Sequence, residues 1–516
     1  MRKQPIKNRR VRYGGIAVIL TVLLITVTVL ANALVGTLAS RYGWYGNLLA
    51  DETFGVSEKC HTLIGAALDA AQATSESPVE VEIVFCDLEE NLLQDASVSY
   101  VYQTARTLAE RDARIKITCY DIWLNPDTVR RYQTTKVIDS KTGLESEQTV
   151  ALYSTSVIIV CGSYHRVYSN TEFFAFEGGD TSSAWAYSGE RKLAAGILRA
   201  VAPYAPTVCM TNNHAEVYYD YEILYLLDDA GYRISYLDLS QDAIPAECSL
   251  LVCFNPNKDL SEESGVSDRS ESDVLNAFLS VPGHSFLFFL ENGTPSLPNL
   301  EAFLKDWGVS ALYHQSGDLS YRYMVQDSSA SLTSDGYTIY GKAGSSDYAK
   351  EWTAGQNIVF KNATALRPAS GYLPNGDGSF SRGERRMYPL YESGSSAVSW
   401  ANGAAVDGDS VILMSLTEQT LADGKSRVGV VSSVRFATES FLQSAVYGNS
   451  DTMFRLLGDL GGTTTPLGLS IKPFHSSNMS LVTTVQKRRW TILLSALPAL
   501  CVSAVAVPIL VRRKYA

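Results

Sequence analysis

Short runs of apolar residues alternate with segments of helical periodicity through the middle of the chain. Four runs have the length of a strand and are rich in residues that suit strands: Thr207–Thr211, Tyr232–Leu239, Cys248–Phe254 and Ser285–Leu290. The segments between them carry apolar residues at near-3.6 spacing and end at glycine or proline. Near-continuous apolar strands that alternate with helices are typical of a parallel sheet covered on both faces. The pattern therefore predicts a flavodoxin-like α/β core over residues 204–316.

Two further regions flank this predicted core. The same alternation over residues 78–203 predicts a first α/β domain, thioredoxin-like or flavodoxin-like, either separate from the core or fused to it. Residues 40–77 are predicted to form a connector with one helix. Residues 317–475 are rich in Ser, Gly, Asp and Tyr, which predicts an irregular β-rich portion followed by closing strands and a helix of the core.

The two ends of the chain carry long uncharged stretches. Residues 14–39 and 490–511 contain no charged residue, and each is long enough to cross a bilayer core of about 30 Å as a helix. The outer flanks, residues 1–13 and 512–516, are basic, while residues 476–489 form a juxtamembrane linker. The positive-inside rule then predicts a two-pass membrane protein with both termini cytoplasmic and the bulk of the chain extracytoplasmic. A cleaved signal peptide is the alternative for the first stretch, because Ala31, Asn32 and Ala33 have the small-x-small form.

Charge and cysteine content narrow the classes of function. The chain has 43 basic and 54 acidic residues, and its two basic ends contain no acidic residue. The part between the ends is therefore more acidic than the chain as a whole, and we do not expect it to bind nucleic acid. Seven of the eight cysteines lie outside the uncharged stretches, and they show no CxxC spacing or Cys/His metal-ligand spacing. We therefore expect buried thiols in preference to a disulfide framework, and no metal site. The lack of a Walker A or GxGxxG motif predicts no nucleotide cofactor.

Polar residues follow two of the predicted core strands, at the edge where open α/β sheets bind ligands. They are Asn212, Asn213, His214, Glu216, Asn255 and Pro256. His214 and Glu216 have the chemistry of an acid/base pair, which keeps open the hypothesis of a cell-envelope hydrolase or amidase. No GxSxG elbow accompanies them, and no glycines surround Cys253 as they would a nucleophilic turn. The favoured interpretation is therefore a ligand or partner contact, without catalysis.

Tyrosines are the other candidates for a binding surface. The chain has 29 of them, several within 218–225 and 313–323, where they would line a carbohydrate or peptide groove or simply belong to strands.

The order of several short motifs resembles one protein family, the GldG-like auxiliary components of ABC transporters, named for bacterial gliding motility. No single motif is specific, but their order along the chain, between two uncharged stretches, is. The matching positions are Glu190–Val201, His214–Glu216, Gly231–Tyr232, Leu237–Leu239, Ile244–Pro245, Asn255–Pro256, Asp259–Leu260, Gly283, Leu297–Leu300, Trp307–Gly308, Phe436, Asn449, Asp451 and Leu469–Pro473.

The resemblance implies a non-catalytic, substrate-binding-like subunit anchored in the membrane. Its partners would be a separate ABC permease and ATPase, since this chain lacks an ATPase motif of its own. The transported substrate of the family is poorly defined, so the resemblance assigns none.

Overall fold

The computed structural model describes residues 55–474, apart from 139–144, 177–182, 203, 263–268, 294, 353–356 and 408–409, together with residue 489. From Val56 onward these residues belong to one compact unit. Its first part, up to residue 202, contains five α-helices: α1 Glu58–Thr74, α2 Glu89–Gln94, α3 Ala96–Arg111, α4 Pro126–Arg130 and α5 Gly189–Val201. It also contains eight strands: β1 Val81–Phe85, β2 Ile115–Cys119, β3 Thr134–Ile138, β4 Glu145–Thr149, β5 Val157–Cys161, β6 Tyr164–Tyr168, β7 Phe174–Phe176 and β8 Ala184–Tyr187.

The main sheet of this first part is mixed. It has four strands in the order β2-β1-β5-β6. β1 is parallel to β2 but antiparallel to β5, and β5 turns back into β6 through a tight hairpin. The turn of that hairpin needs Gly162, whose φ is +58°. Helices α1, α3 and α5 cover one face, where Ile64, Val101 and Ile197 share a single apolar core with the strands.

The second part, residues 204–308, alternates strands and helices. Its elements are β9 Thr207–Thr211, α6 Glu222–Asp229, β10 Arg233–Leu237, β11 Cys248–Phe254, α7 Glu271–Leu279, β12 Ser285–Phe289 and α8 Pro298–Asp306. The four strands pair in parallel in the order β10-β9-β11-β12. All five residues of β9 and of β12 are buried, because helices and other elements cover both faces of the sheet.

The third part supplies many strands and few helices. Its strands are β13 Val309–Ala311, β14 Tyr313–Ser316, β15 Leu319–Arg322, β16 Met324–Gln326, β17 Thr338–Ala343, β18 Ile358–Lys361, β19 Leu366–Pro368, β20 Leu373–Pro374, β21 Phe380–Arg382, β22 Arg385–Glu392, β23 Val398–Ala401, β24 Ala404–Asp407, β25 Ile412–Leu421, β26 Gly424–Val431 and β27 Lys472–Pro473. Its α-helices are α9 Asp347–Lys350, α10 Glu439–Leu442 and α11 Asn449–Gly461.

These later strands extend the parallel sheet into a large mixed one. β26 pairs in parallel with β12, and β25, β22, β17 and β18 then follow in antiparallel fashion, within a sheet of 13 strands. The predicted class of flavodoxin-like parallel-sheet domains is therefore wrong, and the protein is a mixed α/β protein with many strands in large mixed sheets. The physical reason is that hairpins from the third part add to the open edge of β12, which strand periodicity alone does not reveal.

The two predicted membrane spans, 14–39 and 490–511, lie outside the described residues. Among the residues that the structure does describe, none of the helices has both the length and the apolar character needed to cross a membrane. The prediction of a two-pass membrane protein with transmembrane helices is corrected accordingly, because the structure does not support it.

Seven cysteines lie in the described part of the chain, and all of them are free thiols. Five are buried and two, Cys119 and Cys161, are half-buried. They pack as small apolar side chains in the sheets and helices. Cys253 has the side chains of Glu216 and Thr211 as polar neighbours.

Candidate functional site

The order of the core strands places a crevice between β9 and β11. The chain leaves β9 for β10 on one side of it and returns to β11 on the other side. At such a switch point the loops after neighbouring parallel strands diverge, and ligands of open α/β sheets bind there. Both groups of predicted site residues lie at this edge: residues 212–216 follow β9, and Asn255 and Pro256 follow β11.

His214 lies at the centre of this edge and is 1 % exposed. Its Nε2 is 3.3 Å from Oε2 of Glu271, the first residue of α7. Its Nδ1 lies 3.4 Å from Oε1 of Glu216. The carboxylates of both glutamates are almost fully buried as well, with side-chain exposures of 3 % for Glu216 and 1 % for Glu271. The imidazole is thus held between two carboxylates that water barely reaches.

Further hydrogen bonds fix both carboxylates. Glu216 accepts from the hydroxyl of Thr211 at 2.5 Å and from the backbone N–H of His214 at 3.0 Å. Glu271 accepts from Nδ2 of Asn213 at 2.6 Å and from the backbone N–H of Ser261 at 2.6 Å. The start of α7 also favours a carboxylate, because the helix dipole is positive there. The cluster therefore joins β9, its following loop and α7.

The charges in the cluster support one another. Burial by itself lowers the pKa of His214, but the close carboxylates of Glu216 and Glu271 outweigh it and raise the pKa to about 9. Burial raises the pKa of Glu271, but the contacts with His214 and with the Ser261 N–H outweigh it and lower the pKa to about 2. At neutral pH the cluster holds an imidazolium and two carboxylates, with a formal charge of −1.

The loops around the cluster carry unusual backbone angles. Ala215 and Asn255 both have positive φ, 52° and 54°, a region that non-glycine residues rarely adopt. The two loops are bonded to each other, since the carbonyl of His214 accepts from the N–H groups of Asn257 and Lys258 at 2.8 and 2.9 Å. Strained backbone of this kind persists where surrounding contacts fix it, and it concentrates at functional sites.

Cys253 adds a thiol to the cluster. One ligand-type atom from each of Cys253, His214 and Glu216 lies within 4.8 Å of the others. Cys253 is 2 % exposed, and burial, with a smaller effect of the Glu216 charge, raises its pKa far above the ordinary value. A reactive cysteine needs an accessible thiolate. The Cys-His-Glu grouping resembles a nucleophilic triad in composition, but its thiol is protonated and closed to solvent.

The remaining predicted site residues take up different positions. Asn212 is exposed, and its backbone N–H donates to the carbonyl of Leu237. Asn255 is 2 % exposed and donates from Nδ2 to the carbonyl of Val217 at 2.8 Å. Pro256, the next residue, is also buried. The structure therefore brings Asn213, His214 and Glu216 into the cluster, while Asn255 and Pro256 shape the neighbouring loop.

Sequence reasoning missed Glu271 and the role of Cys253. Glu271 lies in the stretch 261–272, which is rich in serine and acidic residues and has the composition of a solvated loop. Ser270 caps α7 by accepting from the N–H of Asp273, so the Ser-Glu-Ser-Asp stretch carried a helix-start signal. The signal for Cys253 is its position, since it is a cysteine near the carboxyl end of β11, the strand that neighbours β9 in the sheet.

Tyrosines from residues 313–323, one of the two tyrosine-rich segments, line a cavity of about 400 Å³ beyond the end of β12. Tyr313 and Tyr321 lie there together with Trp400 of β23 and the side chains of Asn292 and Asn402. Tyr313 is held by Arg322, whose Nε donates to its hydroxyl at 2.8 Å. The tyrosine pattern therefore marks a real concavity, although most of its other residues come from elsewhere in the chain.

Comparisons with known proteins add little to this geometry. No family model and no curated protein matches the chain. Among solved structures, one titled "mmIFT52 N-terminal domain" is similar over 49 % of this chain and 99 % of that chain, at 12 % identity and a TM-score of 0.30. A likeness at that TM-score carries no argument about fold or function, and it does not bear on the resemblance to GldG-like components.

Proposed function

We propose that this protein is a non-catalytic auxiliary subunit, substrate-binding-like in kind, that works with the separate permease and ATPase subunits of an ABC transporter. The resemblance to GldG-like components supports the assembly, and the lack of a nucleotide motif in the sequence supports dependence on another subunit for energy. The main structural support for a non-catalytic role is the closure of the His214 cluster. Its imidazole is 1 % exposed and lies beside a buried thiol.

Closure matters because a general base or a nucleophile must come within hydrogen-bond reach of the substrate. Instead, Nε2 of His214 contacts Glu271, and its Nδ1 faces Glu216. Its raised pKa keeps it protonated at neutral pH, so it is not available as a base. The alternative of a hydrolase or amidase would require Cys253 to be an accessible thiolate, which burial disfavours.

The assembly is tested by purifying the tagged full-length chain from its native cells under conditions that preserve complexes. We expect a permease and an ATPase to be recovered in defined ratio and ATP hydrolysis to accompany them. The Cys253→Ser variant should recover the same partners, because the thiol has no part in the assembly. Recovery of the chain without either subunit would contradict the proposal.

The non-catalytic role is tested separately by alkylating the native protein with iodoacetamide and mapping the labelled peptides. We expect Cys161, which is half-buried, to be labelled before Cys253. Rapid labelling of Cys253 in the folded protein, together with hydrolysis of amide or ester substrates that Cys253→Ser abolishes, would establish the enzyme instead.

A further inference from the structure

The cluster at the carboxyl edge of β9 and β11 contains three different types of metal-ligating side chain. His214 contributes an imidazole, Glu216 a carboxylate and Cys253 a thiol, and one ligand atom of each lies within 4.8 Å of the other two. The residues come from a loop after β9 and from β11, so the fold, and not local sequence, brings them together. Nitrogen, oxygen and sulfur ligands at this spacing are those that zinc takes in proteins.

An independent observation points to a ligand at this place. Nδ1 of His214 is buried and makes no hydrogen bond, although Oε1 of Glu216 lies 3.4 Å away. Buried polar atoms without a partner are rare in folded proteins, and each calls for an explanation. This ring nitrogen, which lacks a hydrogen bond, faces the Glu216 side of the cluster.

The other ring nitrogen has the partner that a metal-bound histidine usually has. Nε2 of His214 lies 3.3 Å from Oε2 of Glu271, and Glu271 is itself fixed by Asn213 and by the Ser261 N–H. Histidines that bind a metal commonly donate their second N–H to a carboxylate, which orients the ring and raises its basicity. Glu271 is in the position to do this for a metal on Nδ1.

We propose that His214, Glu216 and Cys253 form a binding site for a divalent transition metal ion, with zinc as the best match, and that Glu271 positions His214 for it. The fourth place of a tetrahedral ion would be left to water or to a bound ligand. The site goes beyond the proposed role as an auxiliary subunit, because that role needs no metal.

Binding of the metal ion leaves the formal charge of the cluster unchanged, because protons are released. Without metal, the imidazolium and two carboxylates give the cluster a formal charge of −1. Binding of the dication releases two protons, one from Nδ1 of His214 and one from the thiol of Cys253, and forms bonds to nitrogen, sulfur and the Glu216 oxygen. The ion then lies against the carboxylate of Glu216, while Glu271 keeps its contact with Nε2 of His214. Because two protons leave, affinity should rise with pH.

The experiment uses the full-length protein, stripped of metal with a chelator and then titrated with Zn²⁺. We expect one zinc ion per chain and a higher melting temperature, since a ligand that binds only the native state stabilises it. Co²⁺ in place of Zn²⁺ should give the near-ultraviolet charge-transfer absorption of a thiolate–cobalt bond. Cys253→Ser should remove that absorption and the zinc-dependent rise in melting temperature.

A matched control is available on the same strand. Cys248 is 0 % exposed and lies at the other end of β11, away from the cluster, so Cys248→Ser should leave zinc binding and the cobalt spectrum unchanged. Glu271→Gln should weaken zinc binding by about 10–100-fold while keeping the cobalt–thiolate absorption, as for other partners of ligating histidines. Absence of stoichiometric zinc, or equal spectra for the Cys253→Ser and Cys248→Ser variants, would refute the site.

Discussion

Glu222, at the start of α6, is a carboxylate that folding removes from water. It is 8 % exposed, and Nε2 of Gln443 donates a hydrogen bond to its Oε2 at 2.8 Å. Burial raises its pKa to about 7, against the smaller opposing effects of Arg191 and the Gln443 hydrogen bond. A carboxyl with a raised native-state pKa favours the folded state at low pH. That contribution is lost as the pH rises from about 4.5 to about 7.

Glu222→Gln should therefore stabilise the protein at about pH 8 and have little effect at about pH 5. The difference between the two conditions should be about 1–3 kcal/mol in the free energy of unfolding, measured by urea denaturation. The exposed Glu247 provides the control, because Glu247→Gln should have a similar small effect at both pH values. An effect of Glu222→Gln that is independent of pH would show that the carboxyl is not protonated in the native state.

Ala215 offers a test of the strained loop beside His214. Its φ of 52° costs an alanine about 1–2 kcal/mol relative to its preferred conformations, whereas glycine adopts that angle freely. Ala215→Gly should raise the free energy of unfolding by about 0.5–1 kcal/mol. Ala277→Gly, at an exposed position inside α7, should lower it by about 1 kcal/mol. Equal losses for both variants would mean that the left-handed conformation at residue 215 is absent in solution.

Individual site residues could be found in the sequence only where they follow a strand directly. His214 and Glu216 come just after the apolar run of β9, so the rule about strand ends pointed to them. Glu271 lies beside His214 only because α7 packs against the sheet, and no local pattern contains that contact. The same holds for Cys253, whose strand is adjacent to β9 in the sheet but distant in the chain.

At the scale of elements, the side chain of Asn449 joins the start of α11 to the sheet. Asn449, the first residue of α11, is 0 % exposed. Its Oδ1 accepts from the N–H of Val359 at 3.0 Å, and its Nδ2 donates to the carbonyls of Val359 and Phe436 at 2.8 and 3.2 Å. The amide thus bonds to the backbone of β18 as a neighbouring strand would.

Asn449→Leu keeps most of the side-chain volume but leaves these backbone groups unpaired. Because an unsatisfied buried group costs about 1–3 kcal/mol, we expect a loss of about 2–4 kcal/mol in the free energy of unfolding, measured by urea denaturation. Asn276→Leu, on the exposed face of α7, should change it by less than about 0.5 kcal/mol. A similar small effect at Asn449 would mean that water replaces the lost bonds.

The sequence predicts the strands of the second part better than those of the third part. The apolar runs of β9, β11 and β12 stand out because both faces of these strands are buried. Most strands of the third part are only two to four residues long, and Ser, Gly and Asp are frequent in their segments. β25 and β26 are longer and largely buried. Their place in the sheet depends on pairing between distant segments, such as β26 with β12, which periodicity cannot specify.

At the scale of the whole molecule, α5 links the first part to the parallel sheet. Its Lys192 donates from Nζ to Oδ1 of Asp229 in α6 at 2.6 Å, and both side chains are nearly buried, at 10 % and 7 % exposure. A nearby pair, Arg166 and Asp228, joins β6 to the same helix at 2.5 Å. The two regions predicted as separate or fused α/β domains thus share an interface with buried charges.

Breaking the buried pair should destabilise the whole protein. Lys192→Met leaves Asp229 buried without its cation, and we expect a loss of about 3–5 kcal/mol in the free energy of unfolding. The double variant Lys192→Met/Asp229→Leu should recover most of it, because no uncompensated charge remains. The exposed pair of Lys350 and Asp347 is the control, and Lys350→Met should cost less than about 1 kcal/mol. Equal losses for the single and double variants would exclude charge burial as the cause.

The pairing of β12 with β26 also sets the order in which a growing chain can fold on the ribosome. β9 to β12 emerge early, but the far side of β12 is completed only when Val428 and its neighbours arrive beside Phe286, after most of the third part has been synthesised. Until then β12 presents an open edge, Ser285–Phe289, in which four of the five residues are phenylalanine or leucine, and other chains readily join edges of this kind. Chaperone binding during translation should therefore concentrate on nascent chains that end between β12 and β26, and end once β26 has emerged.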